Sequence, residues 1–178
     1  MKAYAGQNIF ITVDGTDFWV PEPKPFNKGY YSHKYKHAGL RYEIGICIAT
    51  GWIVWINGPY PCGDWPDLRI ARHSLHDALC RDEMYIADGG YNDGYQYAVT
   101  PTGVHEFEDR QRATARARHE TVNNCIKVYH CLRAHSYRHE LKKHGTIFHA
   151  VANIIQLGIR RGKLTFQVEY NQYHTADT

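Results

Sequence analysis

Three carboxylates stand out by position. Asp14 directly follows the apolar run at residues 9–13, Asp88 directly follows the run at 84–87, and Glu120 lies in an arginine-rich stretch of helical period. A carboxylate at the end of a buried strand is costly unless it meets a cation or accepts hydrogen bonds. Two such strand ends, each followed by glycine, point to a metal, and Glu120 completes an all-oxygen ligand set. Oxygen donors select Mg2+ or Mn2+, whereas Cys and His would build a softer site. Asp-Gly is also a common turn dipeptide, so either acid taken alone reads more simply as a turn.

The residues around Glu120 extend the pattern. Arg116 precedes it by one helical turn, Asn123 and Asn124 follow by another, and Lys127 by two, which puts all of them on one helix face. A carboxylate between cations suits a site where one group holds metal while its neighbours meet phosphate oxygens. The same spacing also decorates ordinary solvated helices. The net charge of +3 conceals an asymmetry: between Arg110 and Lys163 the chain has 12 Lys and Arg against only Glu120 and Glu140. A basic C-terminal half facing a polyanion and an acidic N-terminal half able to hold cations follow from that split.

These residues need elements to position them. Residues 9–13 read as a buried strand, and 18–20 as a second one stopped by Pro21, Pro23 and Pro25. A polar loop carrying Lys28, His33, Lys34, Lys36 and His37 leads to a hairpin of strands 42–49 and 52–57 around Thr50-Gly51. These first three strands are expected to form an antiparallel meander. Leu68, Ala71, Leu75 and Leu79 recur at helical spacing behind Asp64 and Pro66. The strand at 84–87, after this crossover helix, is expected to lie parallel to its neighbours. A long helix over 111–138 and a more apolar one over 147–157, closed by Gly158, complete the chain. On the long helix Cys131, His135 and His139 fall at i, i+4 and i+8, a spacing that could ligate zinc, but no CxxC partner exists.

With 178 residues the chain is the size of one domain, and 43% hydrophobic and 13% aromatic residues exclude disorder, collagen and coiled coil. No apolar run is long enough to span a membrane and the N-terminus lacks a signal-peptide core, so a soluble, intracellular protein without membrane partners is expected. Five cysteines, odd in number and irregular in spacing, argue for reduced thiols rather than a disulfide framework.

Four ordered motifs carry a resemblance: Val13-Asp14-Gly15-Thr16, the Gly58-to-Asp67 segment GPYPCGDWPD, Ala87-Asp88-Gly89-Gly90-Tyr91, and Arg116-Ala-Arg-His-Glu120 continuing to Lys127. Over residues 9–155 the chain resembles the catalytic domain of DDE transposases, the Harbinger-type branch and its bacterial insertion-sequence relatives in particular. The resemblance implies an α/β, RNase H-like fold: a mixed sheet with its first three strands antiparallel, flanked by helices, filling residues 1–178 as one domain. It implies Asp14, Asp88 and Glu120 as catalytic ligands of two Mg2+ or Mn2+ ions that cut and join DNA phosphodiesters. Arg116, Lys127, Lys34 and Lys36 would contact DNA, with Asp67, Gly15 and Thr16 in support. The family carries a DNA-binding segment ahead of this domain that this chain is expected to lack, so a Myb-like DNA-binding partner protein is expected, and a homodimer is compatible with this reading. The location would be the nucleus in a eukaryote and the cytoplasm otherwise. A truncated or domesticated remnant that binds DNA or protein without cutting is the competing reading. A nuclease acting on RNA or hybrids is a third.

Overall fold

The computed structural model describes residues 8–94, 96–101, 106–133 and 136–163. It is a mixed α/β structure with one six-stranded sheet between helices. The strands are β1 (Asn8–Trp19), β2 (Tyr31–Ser32), β3 (His37–Cys47), β4 (Ile53–Pro61), β5 (Glu83–Ile86) and β6 (Ala98–Val99). Their order is β2-β3-β1-β5-β6, with β4 also paired to β3. β3 runs antiparallel to β1, β2 and β4, while β5 lies parallel to both β1 and β6.

The sheet departs from expectation at its first strand. Residues 9–13 and 18–20 are not two strands: β1 continues through Asp14-Gly15, and residues 11–19 pair without a break against β3. Gly15 does not turn the chain because its partner Glu43 extends the ladder on β3. Asp14 is therefore held in mid-strand rather than at a strand end. Part of the supposed polar loop is structured too, since β2 and the start of β3 form a short hairpin around residues 33–36.

Alternation along β1 and β3 divides the core into two layers. Phe18, Leu40, Tyr42, Ile44 and Ile46 pack beneath α3 (Glu106–Lys127) and α4 (Leu141–Arg160) with Val122, Ile126, Phe148, Val151 and Ile155. Tyr42 stacks on Phe148 at 3.8 Å between ring centroids, and its hydroxyl shares a 2.7 Å hydrogen bond with His144 Nδ1. On the opposite face Ile11, Val13 and Tyr85 pack against Ala71 and Leu75. Those two lie in a π-helical turn, Ala71–Leu75, joining α1 (Asp67–Ile70) to α2 (His76–Ala78). Each large apolar side chain so buried contributes about 1.5–3 kcal/mol.

Both later helices differ from their expected bounds. α3 ends at Lys127, so Cys131 lies in a turn and His139 beyond it, and the helical zinc spacing is not formed; His135 falls outside the described residues. α4 runs through Gly158 to Arg160. Among the described residues no helix is long and apolar enough to cross a membrane.

Candidate active site

β1 and β5 are in parallel register through Thr12 and Ile86, so Asp14 and Asp88 follow side by side. Asp88 caps a short 3-10 turn, Gly89–Tyr91, its Oδ1 accepting the Gly90 N–H at 2.8 Å. Asp14 lies on the face covered by α3, where its Oδ2 accepts from Asn123 Nδ2 at 3.1 Å. One turn earlier on that helix the buried His119 shares a 3.1 Å hydrogen bond with Thr12 Oγ1. These two contacts dock α3 on β1, and the exposed Glu120 between them adds its charge to that at Asp14.

Asp67 arrives from the opposite face. A Cβ added at Gly15 would lie 2.1 Å from Asp67 Oδ1, so only glycine leaves room for this carboxylate. A Cβ at Gly90 would come within 3.1 Å of Asp67 Oδ2 and 3.0 Å of Asp88 Oδ1, which places the two carboxylates around the same glycine. Asp67 Oδ1 is buried and accepts no hydrogen bond, with the Arg41 guanidinium at 3.3 Å.

The electrostatics record this crowding. Burial, reinforced by the charges of Asp88, Glu120 and Asp67, raises Asp14 to about 7. Burial also raises Asp67, with Asp88 adding to it and Arg41 and Lys34 opposing. Lys34, from the β2–β3 loop, thus counters the acids at Asp14 and Asp67. Lys127 is lowered first by burial and then by Lys34, against the pull of Glu120 and Asp14.

The candidate residues do not all converge. Asp14, Asp67, Asp88 and Glu120 form an interacting acidic group bordered by Lys34 and Lys127. Arg116 is half-buried and its charge is felt at His119. Lys36 is exposed, its backbone closing the loop onto Ser32 O at 2.7 Å with φ of 55°. Thr16 is buried and its Oγ1 has no hydrogen bond. Among the described residues no three His, Cys, Asp or Glu side chains stand close enough together to hold a metal ion as they are. Asp14, Asp88 and Asp67 are instead drawn toward separate donors, namely Asn123, the Gly90 N–H and Arg41. The donor set, all carboxylate with a buried oxygen on Asp67 lacking a hydrogen bond, still fits a hard divalent cation.

Sequence reasoning missed three charged residues that build the site's frame. Asp17 sits opposite Arg41 in the β1–β3 register and takes two hydrogen bonds from it, at 2.6 and 3.1 Å, plus one from Ser32 Oγ at 2.8 Å. Burial alone would raise Asp17, but Arg41 and Ser32 prevail and lower it. Glu43 is fully buried, accepting from Trp55 Nε1 at 2.8 Å. The alternation Leu40-Arg41-Tyr42-Glu43-Ile44 was the available signal, because it puts Arg41 and Glu43 on one strand face. Comparisons with protein-family models, with curated proteins and with solved structures return no match to this chain.

Proposed function

We propose that this chain is a DDE-type, RNase H-like catalytic domain that cuts and joins DNA phosphodiesters with two divalent ions, Mg2+ or Mn2+. The observation that carries the reading is the acidic group itself: Asp14 and Asp88, met by Asp67 from one face and Glu120 from the other, the three neighbours adding their charge to the burial that raises Asp14 to about 7. The strand order, with β4, β3 and β1 antiparallel and β5 and β6 parallel to β1, supports the RNase H-like assignment.

Divalent ions at such a site supply an activated attacking oxygen and stabilise the leaving one. Asp14, Asp88 and Glu120 would hold them, with Asp67 as a further carboxylate steadied by Arg41. Asn123 orients Asp14 through its amide. Lys34 and Lys127 border the acids and would meet the phosphates on either side of the scissile bond, as fixed cations do in phosphoryl transfer. A DNA-binding partner of Myb type and a nuclear or cytoplasmic location belong to this reading.

Incubating the chain with supercoiled plasmid and Mn2+ tests it. Nicking is expected in the wild type and is expected to fall to background in Glu120→Gln, Asp14→Asn and Asp88→Asn, each of which keeps side-chain shape while removing a charge. Activity undiminished in all three variants sinks the assignment. Binding of DNA without nicking in any metal favours the non-catalytic remnant, a reading helped by the separate donors that engage the strand acids.

A further inference from the structure

A pocket of about 250 Å3 opens between the β2–β3 loop and the end of α3. Trp19, Tyr35 and His37 give it aromatic walls, Lys127 and Arg133 its cations, and Asp17 its acid. Asp17 is already satisfied by Arg41 and Ser32, so the charge the pocket offers a ligand is positive. Among the described residues neither Lys127 nor Arg133 forms an ion pair. Tyr35 is anchored at the rim by its hydroxyl, which donates to the Asp17 carbonyl at 3.2 Å, and the residue remains 36% exposed. Trp19 is steadied by an edge contact with His37, 6.0 Å between centroids.

Size and composition narrow the ligand. Pockets for drug-sized molecules span roughly 300–1,000 Å3, so this one suits a single planar ring system with a charged attachment. Aromatic walls with cations at the rim are what an unpaired nucleobase and its phosphates require, since every base has a face to stack and needs no matching hydrogen bonds. The pocket also shares Lys127 with the acids, because that ammonium feels Glu120, Asp14 and Asp17 together. Tyr35 likewise feels both Asp17 and Glu120.

We propose that this pocket receives one unstacked nucleobase adjoining the phosphate held at the acidic group, with Tyr35 and Trp19 against the base and Lys127 and Arg133 at its phosphates. The choice of DNA as ligand rests on the nuclease reading; the preference for an extruded base rests on the pocket. Extrusion is cheapest at an unpaired position, so the chain distinguishes disrupted from perfect duplex without reading sequence.

Binding of the full chain, in EDTA, to a duplex carrying one bulged 2-aminopurine is compared with binding to the matched duplex. The bulged duplex is expected to bind about tenfold tighter, with 2-aminopurine emission quenched on complex formation. Tyr35→Ala is expected to abolish that preference. Tyr35→Phe, which keeps the ring and loses only the hydroxyl contact to Asp17, is expected to retain it, separating stacking from loop anchoring. Equal affinity for the two duplexes, or a preference untouched in Tyr35→Ala, overturns the proposal. A preference that persists in a chain that never nicks DNA supports the pocket while overturning the nuclease reading, and nicking without any preference does the reverse.

Discussion

Glu43 lies under the acidic group with Oε1 lacking a hydrogen bond, and burial, with Asp67 adding to it, raises it from the ordinary 4.5 to about 7. Between those values the folded chain holds a proton that the unfolded chain releases. Its contribution is therefore fully present below 4.5 and is lost as pH rises through 7, at about 1.4 kcal/mol per pH unit. His144, lowered by burial to about 4, works in the opposite sense, since below 6.5 the unfolded chain takes a proton that the folded chain refuses. A difference measurement isolates Glu43. In urea melts Glu43→Gln should gain on the wild type by a few kcal/mol (~3) between about pH 5 and pH 8, and a constant difference rules the assignment out. The strand acids could be singled out in the sequence because an apolar run followed by acid and glycine is a local pattern. Asp17, Arg41 and Glu43 could not, because their roles depend on the β1–β3 register, which joins residues far apart in the chain.

At the level of elements, the site depends on how closely α1 approaches β1. Gly15 has no side chain where Asp67 Oδ1 sits, so Gly15→Ala must push that carboxylate away from Arg41. Overpacking of this kind costs about 1–3 kcal/mol. The cost should largely vanish when Gly15→Ala is made in an Asp67→Ala background, and urea midpoints over the double-mutant cycle measure it; strict additivity would mean the two residues do not clash. The sheet, the crossover helix and the parallel β5 were legible because their hydrophobic periods differ. The end of α3 was not. Val122 and Ile126 bury at helical spacing, Leu132 and Tyr137 stay buried beyond the helix, and no glycine or proline marks the stop. From Ile126 on, the chain instead tightens into successive turns, Tyr129 N–H to Ile126 O and Leu132 N–H to Tyr129 O, ahead of α4, which packs in the same core layer. β1 was misread for the converse reason, since Asp14-Gly15 resembles a turn until its partner strand is known.

For the whole molecule, the decisive property is the placement of charge: a net +3 chain concentrates carboxylates at one point of the sheet and rings them with cations from a loop and a helix. On the proposed reading, such an arrangement would meet a polyanion at Lys34 and Lys127. Binding to matched duplex DNA should weaken with salt, and Lys127→Ala should lower the slope of log affinity against log salt by about one, equally for unrelated sequences. An unchanged slope in anisotropy titrations means that this face does not meet the backbone.

Arg118 bears on how the chain can be re-engineered. Its guanidinium, buried beneath α3, donates to the carbonyls of Cys47, at 2.9 Å, and Ile48, where β3 enters the Thr50-Gly51 turn. The height of Glu120 along β1 is thus tied to a hairpin tip distant in sequence. That tip, exposed at Ala49 and Thr50, looks like a free insertion point for a tag or a fused module, and it is a poor one. Lengthening it would draw away the two carbonyls that seat Arg118 and, through α3, slide the glutamate out of step with the strand acids. Grafts belong on the side of the molecule that holds no such tether.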